Sequence, residues 1–449
     1  MPYIKNLTSK ASKRSEKVIV LVTALAAFMC YTSMYAFRKS FTAAPFDDQI
    51  LFGMDYKIGL VIIQMLGYMV SKFYGIRFIA EIKKSKRGKS LVTLILISWL
   101  GLFGFAVCPH PWNAFFLLIN GFPLGMIWGL VFSYLEGRKY TEFMGAVMAV
   151  SLIFASGLVK TVGRWLMDSF PVNEYWMPFC TGLLFFLPFI ACVAILEKIP
   201  PPTSEDKSLR TERVPMNKLM RRRLLKQFFP GIVLTVTIYT LLTIVRDIRD
   251  NFEIEIWEKL NLSGPSIYAK VDGIISVVVL ICMGLLILVK DNQKAFKIIH
   301  LKIMVGFLIA GFSTYLFHQG KLEGTNWMLL VGLGLYMAYI PYNAIFFERM
   351  IATFQIRGNI GFVMYIADSI GYLGSFMVLV NKELLPDSVS WGDYFIQMVF
   401  WTSFIGAILC ALSYYYFTWK KKRATLADTM QWSTDNAMAD RQCSIKTSL

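Results

Sequence analysis

Tyr31, Tyr35, Arg38 and Thr42 recur at intervals of four, three and four residues in the stretch YTSMYAFRKSFTAAP. On an α-helix that spacing puts all four on one face. Two phenolic hydroxyls and a planar guanidinium fork suit an anion: both groups donate hydrogen bonds, and the fork matches carboxylate or phosphate geometry. The spacing also allows an interfacial anchor. If the apolar run VIVLVTALAAFMC ends its membrane passage near Ala36, Arg38 snorkels to the surface. Periodicity alone leaves both readings open. Lys39 lies about 100° round the helix and reads as an anchor or packing residue.

Further ionisable residues interrupt apolar runs. A charge at the bilayer centre costs about 2.5–3.5 kcal/mol on insertion scales, so each should face a cavity or a partner. Lys72, in YKIGLVIIQMLGYMVSKFYGIRFIAE, follows Gln64 and Tyr68 on one helix face and is expected to face a cavity. In SGLVKTVGRWLMD, Arg164 and Asp168 suit a structural pair, while Lys160 lies deeper and is a candidate to face the cavity. In IYTLLTIVRDIRDNF, Arg246 and Arg249 have acidic neighbours, Asp247 and Asp250. One arginine, Arg246 being the deeper, supplies a second cation, or the group is an interfacial charge cluster. Asp368, about mid-span in GFVMYIADSIGYLGS, reads as a partner for a cavity cation or a proton site. Tyr342 and Asn343 are candidates for the same cavity. The substrate-binding set is therefore Tyr31, Tyr35, Arg38, Lys72, Lys160 and Arg246, with Asp250 and Asp368 as coupling or pairing groups. No nucleophile–base spacing points to an enzyme, no metal pattern or cofactor motif occurs, and the seven cysteines have no framework spacing.

These residues need elements that can hold them inside a membrane. Of the 449 residues 56% are hydrophobic and 17% charged, against roughly 25% charged in soluble chains. Runs of about 20 mostly apolar residues, enough to cross a bilayer, begin near Val18, Ile58, Ser90, Asn113, Phe143, Trp176, Phe228, Ser266, Ile298, Asn326, Gly358 and Tyr394. Alternate connections are rich in Lys and Arg: the N-terminal segment, KKSKRGK, the long piece from Lys198 to Lys226, KDNQKAFK and the terminal KKKR. The intervening ones are neutral or acidic, as with RDNFEIEIWEKL. The positive-inside rule then places both termini in the cytoplasm. The net charge of +17 sits in these short blocks, which argues for membrane topology and against nucleic-acid binding. The expected organisation is a cytoplasmic N-terminus (1–17), a six-helix bundle (18–197), a cytoplasmic linker (198–227), a second six-helix bundle (228–419) and a polar tail (420–449) without regular structure. The first apolar run has no cleavage site and is expected to be retained.

The segments YTSMYAFRKSFTAAP, YKIGL and GYMVSKFYG resemble the organophosphate–phosphate antiporters of the major facilitator superfamily, the glycerol-3-phosphate and hexose-phosphate transporters. WGLVFSYLEGRKYTEF and PYNAIFFERMIATF also resemble an uncharacterised bacterial branch of that superfamily. The resemblance implies an all-α membrane protein: twelve transmembrane helices in two pseudo-symmetric six-helix bundles. It implies a secondary transporter of a phosphate ester or phosphate working by alternating access, with substrate-binding positions at Tyr31, Tyr35, Arg38 and Lys72. A second arginine falls on Arg246, with Arg249 next, followed by a carboxylate at Asp250. The fifth-span histidine of those antiporters is missing, and the signature after the second span survives only as YGIRFIAEIKKSKRGK, where Glu81 stands for its acid. Two other functions fit the sequence: proton-coupled symport of a carboxylate through Asp368 or Glu136, and a non-transporting membrane sensor of a phosphorylated metabolite. The expected setting is a bacterial inner membrane, the expected partners a small anion and the lipid bilayer, with no nucleic acid and a monomeric chain.

Overall fold

Eleven helices of the computed structural model are long and apolar enough to cross a bilayer. It describes residues 2–46, 49–136, 138–201, 218–262, 264–355, 361–383 and 390–446. Most of the linker and the Gly358 start lie outside these residues.

The first half contains α1 (Pro2–Arg38), α2 (Tyr56–Glu81), α3 (Arg87–Val107), α4 (Phe116–Leu135), α5 (Thr141–Ser169) and α6 (Met177–Glu197). The second half contains α7 (Lys218–Asn251), a short α8 (Glu253–Lys259), α9 (Pro265–Ile287), α10 (Asn292–His318), α11 (Gly324–Pro341), α12 (Phe347–Phe354), α13 (Gly361–Glu383) and α14 (Trp391–Lys446). Helices α11 and α12 belong to one crossing, joined by a π-helical turn at Tyr342–Phe346. Pro341 at this junction has no N–H to continue the ladder, a recognised cause of local rewinding. The eleven apolar crossings and α13, at the expected eleventh position, make up the twelve crossings of an all-α membrane fold. Among the described residues the only strands are two short ones that form a hairpin, Ile50–Leu51 with Met54–Asp55, leading into α2.

Each half packs largely on itself: α1 lies against α5 and α6, α2 against α4, α7 against α13 and α14, and α10 against α11 and α14. The halves meet most broadly along α5 and α9, and again along α2 and α13. Small residues permit the close crossings. A β-carbon at Gly121 of α4 would collide with the Gln64 carbonyl of α2, and one at Gly157 of α5 with the Tyr268 carbonyl of α9.

Twelve crossings bring both ends of the chain to one side, here the termini side; the opposite is the far side. Two expectations change. Helix α1 stops at Arg38, and a 3₁₀ turn covers Ser40–Ala43, so Thr42 leaves the Tyr31–Tyr35–Arg38 face. The Thr42 hydroxyl donates instead to the Lys39 carbonyl at 2.8 Å, a local side-chain bond that competes with helix continuation. The polar tail continues α14 to Lys446. From Ala424 to Lys446 it contains no glycine or proline to interrupt the helix.

Candidate functional site

The last turn of α1 is clamped by amides. Gln64 Nε2 on α2 donates to the Arg38 carbonyl at 2.8 Å and to Asn120 Oδ1 of α4 at 2.7 Å. Asn120 Nδ2 donates to the Phe37 carbonyl at 2.9 Å. The carbonyls left open at the helix end are thus satisfied inside the bundle, and the clamp fixes where the Arg38 side chain begins.

The Arg38 guanidinium, 7% exposed, lies over the Tyr68 ring at 4.1 Å and near the Tyr35 ring at 5.6 Å. No carboxylate among the described residues forms an ion pair with it. From α7, Arg246 lies over Tyr339 at 4.6 Å, donates to that tyrosine's hydroxyl, and is 5.7 Å from the Tyr372 ring. Unlike Arg38 it has an acid: Asp247 Oδ1 accepts from Arg246 Nε at 3.2 Å and also from Nη2. Between the two arginines stand Tyr68 of α2 and Tyr372 of α13, ring centroids 5.2 Å apart. Beside them Lys72 of α2 meets Asp368 of α13 at 3.5 Å across the bundle interface. The Tyr239 hydroxyl donates to the other Asp368 oxygen. Tyr31 completes the wall on the α1 side, 5.7 Å from Tyr35 and edge-on to Trp128 at 4.8 Å.

The structure therefore brings together five of the six substrate-binding candidates, Tyr31, Tyr35, Arg38, Lys72 and Arg246, with Asp368. It places Lys160 and Asp250 in a separate group at the far side. There Lys160, fully buried, reaches Glu253 at 2.6 Å and Asp250 at 3.8 Å, and donates to Ser156 at 2.9 Å. Lys39 is a buried cross-bundle ligand, not an anchor, 3.1 Å from Asp250 and 2.6 Å from Asn251 Oδ1. Lys57 pairs with Glu255, and Arg164 with Glu258 at 3.2 Å instead of its own-helix Asp168. Arg249 turns into the second bundle to Asp272 at 2.8 Å. Every cation in these cross-bundle pairs comes from the first half and every carboxylate from α7 or α8. The acidity of RDNFEIEIWEKL is thus more than loop topology: its carboxylates are partners of the opposite bundle. On the termini side, the described residues hold one cross-bundle ion pair, Arg349 with Glu142 at 2.8 Å.

Sequence reading did not single out Tyr239, Tyr339 and Tyr372 as site residues. Helical spacing held a signal: Tyr239 precedes Arg246 by two turns, Tyr372 follows Asp368 by one, and Tyr339 precedes Asn343 by one. Asn343 does reach this region, its Oδ1 3.4 Å from the Tyr239 hydroxyl. Among the described residues no group of His, Cys, Asp and Glu could hold a metal ion.

Residues 40–421 match DUF5690, a family of unknown function. No curated protein matches the chain. The fold is similar to a crystal structure of a D-xylose–proton symporter, with a TM-score of 0.59 at 15% identity over 87% of this chain and 96% of that one. It is also similar to the major facilitator superfamily proton:xylose symporter XylE bound to 6-bromo-6-deoxy-D-glucose, with a TM-score of 0.55 at 15% identity over 87% and 94%.

Proposed function

From the premise that the chain belongs to the DUF5690 family and has the major facilitator fold, we propose that it is a secondary active transporter of a small organic anion, working by alternating access. The observation that carries this reading is Arg38: a buried guanidinium at the meeting of the two bundles, set against tyrosine rings, with no carboxylate ion-pair partner among the described residues. Removing a cation from water costs several kcal/mol unless an opposite charge compensates. A bound anion supplies that charge, and Tyr31, Tyr35 and Tyr68 supply hydroxyl donors around it. Binding between the halves then favours their closure, and release follows when the far-side or termini-side contacts part. The termini side is the cytoplasmic one by the distribution of Lys and Arg, and the proposed setting is a bacterial inner membrane.

The resemblance of YTSMYAFRKS to the organophosphate antiporters makes phosphate esters and inorganic phosphate one class of anion to test, with phosphate antiport as the driver. Mid-span Asp368, paired with Lys72, favours a second coupling mode: proton-driven uptake of a carboxylate. A neutral sugar, as in the named symporters, leaves Arg38 without a counter-charge. Proteoliposomes separate the drivers, since internal phosphate drives one and a pH gradient the other. Ligand binding without flux would point to the membrane-sensor reading. Arg38→Lys tests the site. Lysine keeps the charge and loses the planar fork, so anion affinity and uptake should fall; unchanged values would refute the proposal.

A further inference from the structure

The charges at the bundle interface bear on what kind of anion fits. Among the described residues three cations converge there, Arg38, Lys72 and Arg246, against two carboxylates. Asp247 engages Arg246 through Oδ1, and Asp368 lies 3.5 Å from Lys72. One positive charge, on Arg38, is left over. The far-side group adds none: Lys39, Lys160 and Arg249 face Asp250, Glu253 and Asp272 and balance. Resting on the anion-transport reading above, we infer that Asp368 and Asp247 set the charge of the substrate, so that the site takes a monoanion in preference to a dianion.

The physical reason is compensation in a poorly hydrated place. Arg38, Arg246 and Tyr68 are 7%, 6% and 3% exposed, so water screens them weakly. A carboxylate monoanion on Arg38 makes the site neutral. A phosphate monoester, carrying about −1.5 to −2 charge at pH 7, leaves excess negative charge facing Asp368 and Asp247. At a few ångströms in a medium of effective dielectric about 20, one uncompensated charge changes affinity by about tenfold or more. The rest of the lining fits the body of such a molecule. Tyr31, Tyr35, Tyr68, Tyr239, Tyr339 and Tyr372 offer ring faces and hydroxyls but no further charge, which suits a hydroxylated carboxylate such as a sugar acid.

Three probes share a pyranose body and differ in charge: glucose, glucuronate and glucose 6-phosphate. Binding to the purified full-length protein is measured by thermal shift and calorimetry at pH 8, where the phosphate ester is a dianion. Wild type should bind glucuronate about tenfold or more tighter than glucose 6-phosphate, and glucose weakly. Asp368→Asn removes the carboxylate 3.5 Å from Lys72 and should erase or invert the preference, and Asp247→Asn should do the same by removing the carboxylate that faces Arg246, so either variant serves if the other does not fold. The inference falls if wild type binds the dianion as tightly as the monoanion, or if folded Asn variants leave the ratio unchanged. In that event the transport reading still stands, provided Arg38→Gln abolishes binding of both anions. If neither anion binds wild type, or glucose binds as tightly as glucuronate, both readings fall.

Discussion

Asp250→Asn should loosen the far side while leaving the site chemistry in place. Asp250 lies 3.1 Å from Lys39 and 3.8 Å from Lys160, and also accepts from the Ser156 hydroxyl. At an effective dielectric of about 20 the Lys39 contact alone is worth about 5 kcal/mol before desolvation. Measured losses on breaking one side of a buried pair are about 3–5 kcal/mol. Lys160 keeps Glu253 at 2.6 Å, so the main loss falls on Lys39, left with the neutral Asn251. A ligand-free equilibrium between far-side closed and open states should then shift towards open by about two to four orders of magnitude. Spin labels at Trp112 and Lys321, exposed far-side positions on opposite halves, would report it by double electron–electron resonance in a background lacking the seven native cysteines. The variant should show a longer distance population than the parent. Lys39→Met added to Asp250→Asn should recover much of the closed population, because removing both members of a buried pair costs far less than removing one. Identical distributions in parent and Asp250→Asn would refute the argument that this ion pair holds the far side shut.

Two further outcomes follow from the same geometry. Arg349→Gln removes the described cross-bundle pair with Glu142 on the termini side, so labels at Lys89 and Lys290 should separate while the Trp112–Lys321 distance stays short. Gly121→Ala should lower the unfolding temperature in detergent, with about 1–3 kcal/mol lost to overpacking against the Gln64 backbone, whereas Gly273→Ala, which meets nothing nearby, should not.

The sequence by itself determined the class of the molecule and most of its crossings. Twenty-residue apolar runs and alternating basic connections suffice for that, because a bilayer tolerates few backbone solutions. Intramembrane charge also marked Arg38, Lys72, Arg246 and Asp368, since each such residue must find a partner or a cavity. What it could not decide was which. Lys160 and Lys72 look alike in the chain, each a lone lysine within an apolar run, yet one is locked to Glu253 at the far side and the other meets Asp368 beside the arginines. Arg164 had an acid one turn away on its own helix and pairs instead with Glu258 of the other bundle. Those pairings join residues about 90 to 300 positions apart, and only the packing of α5 on α9 and of α2 on α13 brings them within reach. Among the described residues, the same packing leaves Arg38 as the central cation without a carboxylate ion pair. Helical periodicity places a side chain on a face, but the charge it meets is set by the helix from the opposite bundle.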